Sequence, residues 1–127
     1  MLENKGKTIL VVDDQSEMRT LLNLTLSRSS WQVIEAGNGE EAVKLAQAHH
    51  PQVILMDYNM PVMNGIDACK AIKSNTDTQE IPVLIYTGLN ALDLQEAAIN
   101  AGAVQFLTKP IPPNDLRQAV EAAYQNN

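Results

Sequence analysis

The stretch Ile9-Leu10-Val11-Val12-Asp13-Asp14-Gln15-Ser16 passes from an apolar run to a polar, acidic turn. Four consecutive apolar residues with no polar alternation read as a strand covered on both faces, as in a parallel sheet. Two further runs share that character: Val53-Ile54-Leu55-Met56, closed by Asp57, and Val83-Leu84-Ile85-Tyr86, closed by Thr87. Gln32-Val33-Ile34-Glu35 and Val104-Gln105-Phe106-Leu107-Thr108 mix in polar residues, which suits edge strands. Helical spacing follows each run. Met18, Leu21, Leu22 and Leu26 form one stripe, with Ser16 expected as its N-cap. Asn38 with Glu41 reads as a capping box, and Asn64-Gly65 opens a helix bearing Ile66, Cys69 and Ile72. Leu94, Ala97, Ala98 and Ala101 form the fourth stripe, ended by Gly102. Leu116, Ala119, Val120 and Ala123 form the fifth, with Pro113 in its first turn. Five strand–helix repeats without a linker predict an open α/β fold, a doubly wound five-stranded parallel sheet with five helices. Such sheets bind ligands beyond the carboxyl ends of their strands, here positions 13–16, 36–39, 57–64, 87–90 and 108–112.

Composition bounds the function. The 127 residues suit one domain, spanning 1–127, with flexible ends expected at 1–7 and 125–127. Aromatic residues are only 4%, so the core must come from Val, Ile, Leu and Ala. A net charge of −6 argues against direct nucleic-acid or anionic-membrane binding, since both need a basic surface. The single Cys69 excludes an internal disulfide framework and suits a reducing compartment. With no signal-peptide pattern and no membrane-span stretch, a soluble, cytoplasmic protein is expected.

The strand ends carry the chemistry. If the first and third strands are neighbours, Asp13, Asp14 and Asp57 converge on one crevice. Such carboxylates stay ionised together only with compensation, and an oxygen-only set favours a hard cation such as Mg²⁺. Thr87 adds a hydroxyl, and Lys109-Pro110 adds a point cation on a restrained backbone. Together they describe a site that accepts a phosphoryl group, with one Asp attacking.

The set Asp13-Asp14, Asp57-Tyr58-Asn59-Met60-Pro61-Val62-Met63-Asn64-Gly65, Thr87-Gly88 and Lys109-Pro110 resembles the receiver domain of two-component response regulators. The resemblance covers essentially the whole chain and implies the CheY-like, flavodoxin-like strand order 2-1-3-4-5. It implies Asp57 as phosphoryl acceptor from a phosphohistidine of a sensor histidine kinase or histidine phosphotransfer protein. Asp14, Asp57 and the backbone carbonyl of Asn59 would bind Mg²⁺ directly, and Asp13 through water. Thr87 and Lys109 would hold the phosphoryl oxygens, and the Lys109-Pro110 bond would be cis. Thr87 and Phe106 would relay the change to a face around Ala91, Leu92, Ala101, Phe106 and Ala122. That face would bind a downstream protein target or a missing effector domain. Phe106 lacks the hydroxyl that receivers often carry at the switch position, and Asn59 and Leu89 fall at positions that tune hydrolysis. The domain would catalyse only its own phosphorylation and dephosphorylation.

Other readings compete. A Mg²⁺-dependent aspartyl-phosphate phosphohydrolase would need D-x-D on the first strand, and Asp13-Asp14-Gln15 lacks it. A constitutive, non-switching interaction module would keep the fold alone. Gly37-Asn38-Gly39-Glu40-Glu41-Ala42 fits a dinucleotide fingerprint but lies beside an edge strand and leaves Thr87 and Lys109 unexplained. Met60 and Met63 read as loop packing, His49-His50 as a helix C-terminus, Cys69 as core, and Trp31 and Tyr124 as local packing.

Overall fold

The computed structural model describes residues 7–88 and 92–126, leaving out the side chain of Leu92. The strands are β1 (Thr8–Val12), β2 (Gln32–Ala36), β3 (Val53–Asp57), β4 (Val83–Thr87) and β5 (Gln105–Thr108). The helices are α1 (Ser16–Ser27), α2 (Gly39–His49), α3 (Gly65–Lys73), α4 (Leu92–Asn100) and α5 (Pro113–Gln125). All neighbouring strands pair parallel, in the order β2-β1-β3-β4-β5.

The three apolar runs are the three central strands, because only there are both faces covered. Ile9, Val11, Val53, Leu55, Leu84 and Tyr86 face α1 and α5, where Leu22, Leu26, Leu116 and Val120 cover them. Leu10, Val12, Ile54, Met56, Val83 and Ile85 face α2, α3 and α4. The helices of that side present mainly small residues (Ala42, Ala46, Ala68, Ala98), so a core almost without aromatics still closes. The chain runs from β1 outward to β2, then crosses back past β1 to β3. That reversal opens a crevice at the carboxyl ends of β1 and β3.

Pairing register fixes what lines the crevice. Val12 pairs with Met56, so Asp13 and Asp57 leave their strands side by side. Asp57 in turn pairs with Tyr86, and Thr87 with Thr108, which brings Lys109 to the same level.

Most local expectations hold. The Asn38 side chain accepts from the Glu41 N–H at 2.8 Å, while Glu41 reaches back to the Gly37 N–H at 2.7 Å. Asn64 caps α3 through the Asp67 N–H at 2.8 Å. Gly102 follows α4 with φ of +108°, a left-handed conformation that favours glycine. Three expectations are corrected. Ser16 is the first helical residue rather than the cap, because the Asp13 carboxylate takes the Gln15 N–H and turns the chain one residue earlier. Leu21 is 57% exposed, since α1 buries only a narrow stripe through Leu22 and Leu26. Val104 is 52% exposed and precedes β5.

Of the ends expected to be flexible, residues 1–6 and 127 lie outside the described residues. Lys7 accepts the Gln32 N–H at its carbonyl, and its ammonium lies 4.9 Å from the Trp31 ring centre. Trp31 in turn meets Tyr124 edge-on at 5.2 Å. Gln125 closes α5.

The loop after β3 is held by close backbone approach. The Gly65 N–H donates to the Tyr58 carbonyl at 2.9 Å, and a Cβ at Gly65 would stand 2.3 Å from the Asp57 carbonyl oxygen. Gly65→Ala should therefore destabilise the domain by about 1–3 kcal/mol, as overpacking does. Urea denaturation checks this, and a midpoint equal to that of the wild type would contradict it.

Candidate functional site

Three carboxylates meet at the crevice. Asp13 is fully buried, Asp57 nearly so and Asp14 exposed, and each offers an oxygen within 4.8 Å of the others. Among the described residues the cation paired with these carboxylates is Lys109, whose Nζ lies 3.4 Å from Asp13 Oδ2 and 3.5 Å from Asp57 Oδ2. Lys109 is brought there by β5 and by its N–H, which donates to the Thr87 carbonyl at 2.8 Å. The Lys109–Pro110 bond is cis, as the resemblance implies.

Burial is the main cause that raises the pKa of Asp57 above the ordinary carboxylate value. The Lys109 charge opposes this, and the Asp13 charge adds to it. Asp57 Oδ1 also accepts the Asn59 N–H at 3.3 Å.

A cleft of about 250 Å³ opens above Asp57, lined by Asp14, Gln15, Asn59, Thr87, Gly88 and Lys109. A Cβ at Gly88 would meet no atom of the described residues within 4 Å. Asp13, Asp14, Asp57, Asn59, Thr87 and Lys109 are thus brought together from four loops distant in sequence. Phe106 is not in the cleft; it is half-buried and packs on the α2–α4 side of the sheet. Ala101 is buried and Ala122 exposed, whereas Leu89, Ala91 and the Leu92 side chain lie outside the described residues.

Sequence reasoning missed Tyr86. Its hydroxyl donates to Asp13 Oδ2 at 2.6 Å, and its ring centre lies 4.7 Å from Lys109 Nζ. Burial foremost, then the hydrogen bond to Asp13 and that residue's charge, push the phenol far above its ordinary pKa. A buried Tyr needs a partner for its hydroxyl, and this one lies in β4 directly before Thr87, which lines the cleft.

The decoys resolve as packing. Cys69 is buried, its thiol donates to the Ala101 carbonyl at 3.5 Å, and burial pushes its pKa up to about 11. His49 ends α2, with His50 as its left-handed cap. Met60 is buried, and Met63 packs against the core.

Three carboxylates against one ammonium leave the cluster with excess negative charge, and its donors are hard oxygens. The residues therefore fit a divalent cation of the Mg²⁺ class.

The model of the response regulator receiver domain matches residues 9–121. The chain belongs to this family. It is 36% identical over 118 residues to the transcriptional regulatory protein PdtaR of Mycobacterium tuberculosis, covering 92% of this chain and 56% of that protein. The receiver domain thus spans about half the length of such regulators. It is also 36% identical to the chemotaxis protein CheY1 of Helicobacter pylori, covering 94% of this chain and 98% of that protein. The receiver domain of a sensor histidine kinase from Pseudomonas aeruginosa, solved with magnesium in its active-site cleft, superposes with a TM-score of 0.87 at 25% identity. It covers 94% of this chain and 98% of that one. Receiver domains are signalling domains of two-component systems that take phosphoryl groups from histidine kinases. Among the described residues, no helix is long and apolar enough to cross a membrane.

The raised Asp57 pKa has a definite sign for stability. Relative to the unfolded chain, the group contributes stability below the ordinary carboxylate value and loses it as pH rises through its folded value. In EDTA, Asp57→Asn should melt higher than wild type at neutral pH, the gain shrinking toward about pH 4. A lower melting temperature for the variant at neutral pH would contradict the burial argument.

Proposed function

We propose that the domain, taken as residues 1–127, is a phospho-acceptor switch in which Asp57 receives the group. The observation that carries this is the Asp57 carboxylate at the floor of an open cleft, 3.5 Å from the Lys109 ammonium. In the transfer, an Asp57 oxygen attacks phosphorus, the phosphorus–nitrogen bond of a phosphohistidine breaks, and the imidazole leaves with its electron pair. Asp14, Asp57 and the Asn59 carbonyl would hold Mg²⁺, with Asp13 acting through water, and the ion would neutralise charge on the phosphoryl oxygens.

Lys109 and the Thr87 hydroxyl bind the phosphoryl oxygens. Movement of Thr87 toward the acyl phosphate vacates space on the α4–β5 side, and Phe106 turns inward to fill it. Because Phe106 has no hydroxyl, this relay rests on packing alone. The output face then reads the Phe106 position for a downstream protein or an attached effector domain. The donor is a sensor histidine kinase or phosphotransfer protein on the cytoplasmic side. Each molecule modifies itself once and later loses the group by hydrolysis, so it is not a turnover enzyme.

Incubation with Mg²⁺ and acetyl phosphate should add one phosphoryl group to the intact wild type and none to Asp57→Asn, read by intact mass. Unmodified wild type, or equal labelling of the variant, would overturn the assignment. Phe106→Ala should be phosphorylated like wild type yet lose any phosphorylation-dependent shift in the amide spectrum of α4 and β5. A wild-type shift in that variant would remove Phe106 from the relay.

A further inference from the structure

We propose that Tyr86 is a positioning residue that sets the cation affinity of the cleft by stabilising Asp13 in its cation-free arrangement. This rests on the reading of the cleft as a Mg²⁺ site. The 2.6 Å contact from the Tyr86 hydroxyl to Asp13 Oδ2 is shorter than the 3.4 Å contact from Lys109 Nζ to the same oxygen. Asp13 Oδ1 accepts the Gln15 N–H at 2.9 Å. A fully buried carboxylate thus has three donors, two of them uncharged, spread over both oxygens.

Each donor lowers the free energy of the Asp13 anion when no cation is near, and that energy is part of what an incoming cation and its water must compete with. The Tyr86 hydroxyl does this from the α1–α5 side of the sheet, outside the cleft lining, so it stabilises the anion without offering a ligand. Its ring, 4.7 Å from Lys109 Nζ, also favours the ammonium between Asp13 and Asp57. Tyr86→Phe keeps the ring and the packing and removes only the donor. The cation-free state then loses more than the cation-bound state, in which a divalent charge helps to stabilise Asp13. Removing the hydroxyl should tighten cation binding, whereas a residue that serves only packing would leave it unchanged or weaken it.

Calorimetric titration with Mg²⁺ tests this on the whole chain, without phosphodonor. Tyr86→Phe should bind Mg²⁺ about three- to tenfold more tightly than wild type, the factor that the net value of one hydrogen bond represents. Equal or weaker binding overturns the proposal. In an Asp13→Asn background, Tyr86→Phe should leave the affinity unchanged; the same tightening there would show that Tyr86 does not act through Asp13. Should Tyr86→Phe fail to fold, 3-fluorotyrosine placed at position 86 keeps the shape and donates more strongly. It should weaken Mg²⁺ binding, and no weakening overturns the proposal. Wild type that binds no Mg²⁺ overturns the cation reading itself, a result distinct from a wild type that binds while the variants do not differ.

Discussion

Two carboxylates, Asp13 and Asp57, end adjacent parallel strands side by side in a setting that excludes most water, and one ammonium lies against both. The rest of the site depends on this like-charge contact. Buried charges of one sign raise each other's energy, so the arrangement persists only where hydrogen bonds, an ammonium or a cation answer it. Lys109, Tyr86 and the Gln15 and Asn59 N–H groups give that answer from the protein. They leave the cluster short of positive charge, which suits it to a divalent cation.

The fold supplies this contact through ordinary means. A parallel sheet buried on both faces demands continuous apolar runs, and continuous runs hold register firmly because a slip would mispair both faces. With Val12 fixed against Met56 and Ile85 against Phe106, the polar residues that follow each run emerge at one level. The helices pack through alanines on one side, so α2 and α3 can approach closely. Gly65 keeps the loop after β3 tight against Asp57. Precision at the cleft is a consequence of packing well below it.

The fold was legible because its signals are periodic and redundant: five apolar runs, each followed by a helical stripe, with Asn38, Asn64 and Gly102 marking the ends. The acidic cluster, Thr87 and Lys109 were legible because each lies at the carboxyl end of a strand-like run. Ser16 and Leu21 misled for local reasons. A side chain from outside the helix, Asp13, competed for the capping role, and an apolar stripe does not say how wide its cover is. Tyr86 was overlooked because a tyrosine within an apolar strand counts as core in a hydropathy pattern, although a buried phenol needs a partner for its hydroxyl. Only the register with Asp57 and the reach of its hydroxyl turn it into part of the site.

We infer that the converging carboxylates carry an unbalanced charge that a divalent cation relieves. The most direct measurement is the melting temperature of the metal-free protein as Mg²⁺ is added, beside that of Asp14→Asn, which removes the exposed member of the cluster. Wild type should become more stable with rising Mg²⁺, as binding to the folded state alone requires, and the variant should lose most of that gain. A wild-type melting temperature indifferent to Mg²⁺, or an undiminished rise in Asp14→Asn, would contradict the account.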